Sequence, residues 1–135
     1  MKTLTLSNNI EEIPLLAEFV ESICEQAGLD MGITMNINLA MEEAVVNVMN
    51  YAYPLGTQGK IVIEAMADDQ RVKFVIVDQG APFDPTTKED VDTTLSIDDR
   101  PTGGLGIHLI RQIMDTINYE RKGKNNVLTL CKKLV

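Results

Sequence analysis

The sequence has no tryptophan and only 4% aromatic residues, so any core must rest on Val, Ile, Leu and its seven Met. No run of about 18 apolar residues occurs, which excludes a helical membrane span. The opening MKTLTLSNNIEE turns acidic too soon for a secretory signal, and a cytoplasmic location is expected. Cysteine is scarce. Cys24 and Cys131 stand alone, without Cys-x-x-Cys or Cys/His metal spacing, and read as reduced, buried thiols. Lys and Arg total 12 against 20 Asp and Glu, a formal net charge of −8. Broad attraction to nucleic acid or to an anionic membrane needs clustered cations, so neither is expected as a partner. What is present is 135 residues at 44% hydrophobic, the size of one ordinary domain, expected to span residues 1–135.

Residues 2–7 alternate as a short strand, and Ser7, Asn8 and Asn9 offer capping oxygens before a helix over 10–27. In that helix Ile13, Leu16, Phe19, Val20 and Ile23 recur at helical spacing, Pro14 is tolerated in the first turn and Gly28 closes it. A second helix is expected from Asp30 to about Tyr53, stopped by Pro54 and Gly56, with Ile33, Ile37, Ala40, Met41, Ala44, Val45 and Val48 facing inward. Met31, Met35, Met41 and Met49 fall on this helix and read as gap-filling core residues. Two alternating runs, KIVIEAMA and RVKFVIVD, are separated by Asp68-Asp69-Gln70 and read as a β-hairpin. From Gln79 to Gly104 periodicity is lost in favour of Gly, Pro, Asp and Thr, a length that suggests a lid. LGIHLIRQIMD then reads as a third helix, followed by a strand TINYER, a turn over 122–126 and a strand VLTLCKKL.

Three places could carry chemistry. Glu43, Asn47 and Asn50 share one helical face away from the apolar stripe. That face is either a polar outer surface or a site for a hard cation such as Mg²⁺, which takes few protein ligands. Asp78 ends an apolar strand and is followed by Gln79-Gly80. It reads either as an Asp-x-Gly turn or as a carboxylate that accepts a hydrogen bond from an amino group such as that of adenine, with Gly80 leaving room for a ring. Thr102-Gly103-Gly104-Leu105-Gly106 precedes a helix, an arrangement of backbone N–H donors at a positive helix end that suits phosphate oxygens. It is neither a Walker A loop nor a Rossmann fingerprint. His108 is the only histidine, and with no Cys or Asp/Glu cluster beside it zinc is not indicated. Arg100 borders the glycines, within reach of a phosphate.

Taken in order, NLAMEEAVVNVMNYAY, then VDQGAPFDP, then GGLGIHLI resemble the gyrase/Hsp90/histidine-kinase ATPase superfamily. Within it, the chain looks most like the anti-sigma factor serine/threonine kinases. The resemblance runs from the first strand to the terminal LTLCKKL. It implies an α+β fold, a two-layer sandwich of about three helices on one face of a mixed, mostly antiparallel sheet. It implies ATP and Mg²⁺ as cofactors, Glu43 as general base and Asn47 as Mg²⁺ ligand. Asp78 and Gly80 would be adenine contacts, and the segment through Gly104, Leu105 and Gly106 the phosphate loop. The partners implied are an anti-anti-sigma-like protein substrate and a sigma factor, and dimerisation comes with the resemblance. Two departures stand out: Ala81-Pro82-Phe83 replaces a further glycine, and Tyr51 stands where some of these kinases carry His. An anti-sigma or adaptor protein that performs no transfer is the alternative on the same fold.

Overall fold

The computed structural model describes residues 2–54, 56–87 and 104–134, with backbone alone at 87 and 104–106. Five strands, β1 (Lys2–Ser7), β2 (Lys60–Ala67), β3 (Arg71–Asp78), β4 (Thr116–Lys122) and β5 (Asn125–Lys133), form one sheet in the order β1-β2-β3-β5-β4. All four ladders are antiparallel, so the mostly antiparallel sheet is fully antiparallel among the described residues. Among the described residues three α-helices accompany it: α1 (Ile13–Gln26), α2 (Met31–Asn47) and α3 (Gly104–Ile113).

Alternation in the strands decides which face the helices cover. Ile61, Ile63 and Ala65 of β2, Val72, Phe74 and Ile76 of β3, and Leu128 and Leu130 of β5 are all buried. They join Leu16, Val20 and Ile23 of α1, Ile37, Met41 and Val45 of α2, and Ile107 and Ile110 of α3 in one cluster. Burial at roughly 25 cal/mol per Å² of apolar surface makes this layer the main source of stability. The register stacks the inward residues in rows across the sheet. One row runs Ala65, Phe74, Leu130, Ile117, and the next runs Ile63, Ile76, Leu128, Tyr119. The row nearest the C-terminal end of β3 runs Ile61, Asp78, Asn126, Arg121, and there the inward face turns from apolar to polar.

The helix ends follow their caps. Asn9 Oδ1 accepts from Glu11 N at 3.0 Å and opens a short 3₁₀ turn, Ile10–Glu12, ahead of α1. Asp30 Oδ1 accepts from Ile33 N at 2.8 Å and starts α2. Beyond Asn47 the helix widens into a π-helical turn, Val48–Ala52, before Tyr53 leaves it in extended conformation. The helix expected to reach Tyr53 therefore changes type one residue after its polar asparagine.

Two sequence expectations are corrected here. Met41 and Met49 are buried, but Met31 is 78% and Met35 65% exposed, because the core takes only the Ile37–Met41–Ala44 side of α2. The expected turn over 122–126 is only Gly123 and Lys124 wide, Gly123 adopting φ +59°, so Asn125 and Asn126 already belong to β5. Cys24 is buried as expected, and Cys131 is half-buried.

Candidate functional site

At the polar end of the sheet, Asp78 is 3% exposed and Asn126 is its cross-strand neighbour. Asn126 Nδ2 donates to Asp78 Oδ1 at 2.9 Å and to the Ala81 carbonyl at 2.8 Å. Its Oδ1 accepts from Arg121 Nη1 at 3.1 Å, from Phe83 N at 3.4 Å and from the Tyr119 hydroxyl. Gly80 N also donates to Asp78 Oδ1 at 2.8 Å. Both donors thus converge on one oxygen of Asp78, and the other, Oδ2, has no partner among the described residues. Burial pushes the Asp78 carboxyl above its ordinary range, while the Asn126 and Gly80 bonds and the Arg121 charge pull the other way. The result is a fixed carboxylate with one acceptor left to offer.

The turn after β3 is clamped to the end of α2. Ala81 N donates to the Ala52 carbonyl at 2.7 Å. A Cβ at Gly80 would lie 2.3 Å from that same carbonyl oxygen. Gly80 is therefore required first by the close approach of two backbones, in addition to any room it leaves for a ring. The Tyr53 hydroxyl donates to the Lys60 carbonyl at 2.6 Å and accepts from Gln79 N at 2.9 Å, tying the same turn to the start of β2. Burial and the neighbouring Asp78 charge hold the Tyr53 phenol above its usual range, against the Gln79 bond. Tyr51 and Phe83 stack with ring centroids 5.2 Å apart. Tyr51 thus meets Phe83 of the departure segment Ala81-Pro82-Phe83, as a helix-end contact.

On α2, Glu43 is half-buried, Asn47 is 7% exposed and Asn50 is exposed. None of the three side chains has a hydrogen-bond or ionic partner among the described residues. Such a partnerless amide on a buried residue costs stability unless solvent or a ligand reaches it. Among the described residues no fully enclosed side-chain polar atom lacks a partner, so the Asn47 amide opens outward. Gly104, Leu105 and Gly106 form the first turn of α3, where backbone N–H groups have no intrahelical acceptor. Thr102, Gly103 and Arg100 lie outside the described residues, as does most of the segment read as a lid. Of that segment, Pro85–Thr87 forms a 3₁₀ turn that Arg111 of α3 holds by donating to the Thr86 carbonyl at 2.9 Å.

The donor set fits Mg²⁺ shared with phosphate oxygens. Among the described residues no group of three or more His, Cys, Asp or Glu could hold a metal unaided, whereas Asn47 presents a carboxamide oxygen with no competing partner. For a nucleotide such as ATP, the described residues offer a fixed acceptor at Asp78 and first-turn N–H groups of α3 with no intrahelical acceptor. Sequence reasoning missed Asn126, Arg121, Tyr119 and Tyr53. The signal for Asn126 was its place opposite Asp78 in the strand register, which the overlong turn concealed.

A model of the histidine kinase-like ATPase domain family matches residues 6–132. The chain is 32% identical over 94 residues to the serine/threonine-protein kinase BtrW of Bordetella bronchiseptica, covering 70% of this chain and 66% of that one. It is 31% identical over 124 residues to the serine-protein kinase RsbW of Staphylococcus epidermidis, covering 87% and 78%. With RsbW of Listeria monocytogenes the identity is 26% over 132 residues, covering 94% and 84%. A solved histidine kinase domain from Erythrobacter litoralis shares the fold, with TM-score 0.59 at 15% identity over 90% of this chain and 60% of that one. Among the described residues no helix is long and apolar enough to cross a membrane. With the motif order, the helix-on-sheet architecture and a family match over nearly its whole length in agreement, the chain belongs to the histidine kinase-like ATPase domain family.

Proposed function

We propose that the chain is an ATP-dependent serine/threonine protein kinase of the anti-sigma type, phosphorylating an anti-anti-sigma-like protein and binding a sigma factor in competition with it. The observation that carries this reading is Asn47, a buried residue whose amide has no partner among the described residues and which lies one helical turn after the equally unpartnered Glu43. A polar outer helix face would have been solvated outright. An unpartnered carboxylate and carboxamide on the helix whose π-helical end meets Gly80, two residues after the fixed Asp78, suit a ligand with both a base to read and charge to hold.

In this reading Asp78 Oδ2 accepts a hydrogen bond from the adenine amino group, and Asn126 prevents the carboxylate from turning away. The N–H groups of Gly104–Gly106 orient phosphate oxygens at the α3 N-terminus. Mg²⁺, held by Asn47, would neutralise charge on the triphosphate. Glu43 takes the proton of the acceptor serine as its Oγ–P bond forms and the bond from the γ-phosphorus to the β–γ bridging oxygen breaks, releasing ADP. Such catalysis is mainly positioning, which a network built around Asp78 supplies. Phosphorylation adds charge to the serine-bearing partner, weakens its contact and leaves the sigma factor to compete for the kinase, a shift of populations between two complexes.

The test is the thermal midpoint with Mg-ATP, with Mg²⁺ alone and with Asp78→Asn, since a ligand of the native state raises stability. A rise seen in wild type and abolished in Asp78→Asn supports the nucleotide site. Glu43→Ala should then bind ATP and fail to transfer phosphate. Unchanged transfer by that variant would remove Glu43 from its role, and binding without transfer in wild type would leave a non-catalytic regulatory module.

A further inference from the structure

The net charge of the chain is concentrated in one layer. From residue 3 to residue 59, which includes α1 and α2, there are eight carboxylates and no Lys, Arg or His. The rest of the chain holds 12 acids and 12 Lys and Arg, so the formal −8 belongs entirely to this stretch. On the sheet, Lys60, Arg71, Lys73, Arg121, Lys122, Lys132 and Lys133 offset the acids locally. On α1 and α2 nothing does.

Within this acidic layer α2 carries a second apolar face. Met31, Met35 and Leu39, spaced by four, are 78%, 65% and 40% exposed. At about 100° per residue they lie on the far side of the helix from Ile37, Met41 and Ala44, which are buried. A helix apolar on both sides has the composition of one covered on both sides, yet among the described residues Met31, Met35 and Leu39 stay exposed while the other side joins the core. The stripe spans about 12 Å along the helix, room for two turns of a partner helix. Its borders are exposed carboxylates: Asp30 at one end, Glu42 at the other, and Glu18, Glu21 and Glu25 along the solvent face of α1, which packs beside α2 through contacts such as Asn38 to the Ala17 carbonyl.

We propose that the Met31–Met35–Leu39 face of α2 docks a cationic amphipathic helix of a partner protein, the methionines and leucine receiving its aliphatic side and the surrounding carboxylates its Lys and Arg. Unbranched methionines adapt their shape to such a side, as binding surfaces require. The charge field selects among occupants. A second copy meeting through this face would set carboxylate against carboxylate, and an anionic membrane would be repelled. A basic helix is both attracted at a distance and matched on contact. The stripe stops one helical turn short of Glu43, and the inference stands without the kinase reading.

The test uses the whole chain with ¹³C-methyl-labelled methionine and a synthetic amphipathic helix of Leu and Lys, with a Leu/Glu counterpart as control. The methyl signals of Met31 and Met35 should shift saturably with the Lys peptide, while Met66, exposed on the sheet, stays in place and the Glu peptide has no effect. Met35→Lys or Glu42→Lys should weaken binding about tenfold or more and leave the thermal midpoints with and without Mg-ATP unchanged. Equal movement of Met66 would reduce the effect to non-specific charge attraction, and absence of shifts would overturn the proposal outright. Shifts of Met31 and Met35 that follow the protein's own concentration, without peptide, would overturn it in favour of a second copy.

Discussion

The two ends of the candidate site are built on opposite principles. Around Asp78 the polar groups are wired together: Asn126 alone serves Asp78, Ala81, Phe83, Tyr119 and Arg121. Around Asn47 and Glu43 none is, for neither side chain has a partner among the described residues. The first end is fixed before any ligand arrives, and a fixed acceptor suits recognition of one chemical group. The second end is left open, and open donors and acceptors suit a charged moiety that brings its own geometry. The π-helical turn joins them, because Ala52 at its end meets both Gly80 and Ala81.

The contrast is broken most severely at that joint. Gly80→Ala forces a methyl to within 2.3 Å of the Ala52 carbonyl oxygen. It should cost about 1–3 kcal/mol of unfolding free energy by overpacking, read as a fall in urea midpoint. Asn126→Ala comes next: with Asp78, Tyr119 and Arg121 losing a common partner, about 1–3 kcal/mol should be lost even without ligand. A urea midpoint indistinguishable from wild type would show that the network is ornamental. Asn47→Ala should behave oppositely. Because it removes an amide with no protein partner, the ligand-free stability should move by less than about 1 kcal/mol, while the thermal rise with Mg-ATP disappears. Large destabilisation of the ligand-free variant would mean that the open end is not open.

The smallest expected effect concerns pH. The folded-state pKa of Asp78 is raised, chiefly by burial, so the folded chain holds this proton more tightly than the unfolded one. Its contribution is fullest below the ordinary aspartate range, near about 4, and is lost as pH rises through the raised value. Asp78→Asn cannot ionise. The stability of that variant relative to wild type should therefore climb as pH increases from about 4 toward neutrality. A difference that is flat across this range would place the carboxyl in an ordinary environment.

Much of the architecture was legible from pattern. Alternation gave β1, β2 and β3, helical spacing and caps gave α1 and α2, and the order of motifs led to the family. The failures have local causes. Met31 and Met35 looked like core because apolar residues occupy both sides of α2, and spacing alone does not say which side is covered. The turn before β5 was drawn too long because Lys122-Gly123-Lys124-Asn125-Asn126 is polar throughout, although two residues suffice once Gly123 takes a left-handed conformation. That error hid Asn126, whose meaning depends on a partner 48 positions away.

The sequence by itself determined the strands, the amphipathic helices, the three motifs and the acidic balance, because these follow from periodicity, caps and charge along a continuous stretch of chain. Only the tertiary structure decided that Asp78 would be held by Asn126, which Arg121 bonds in turn, that Gly80 would be pressed against Ala52, and that α2 would bury one apolar side and expose the other. Those outcomes depend on register and packing between segments far apart in sequence, and no local preference encodes which surface another segment will cover.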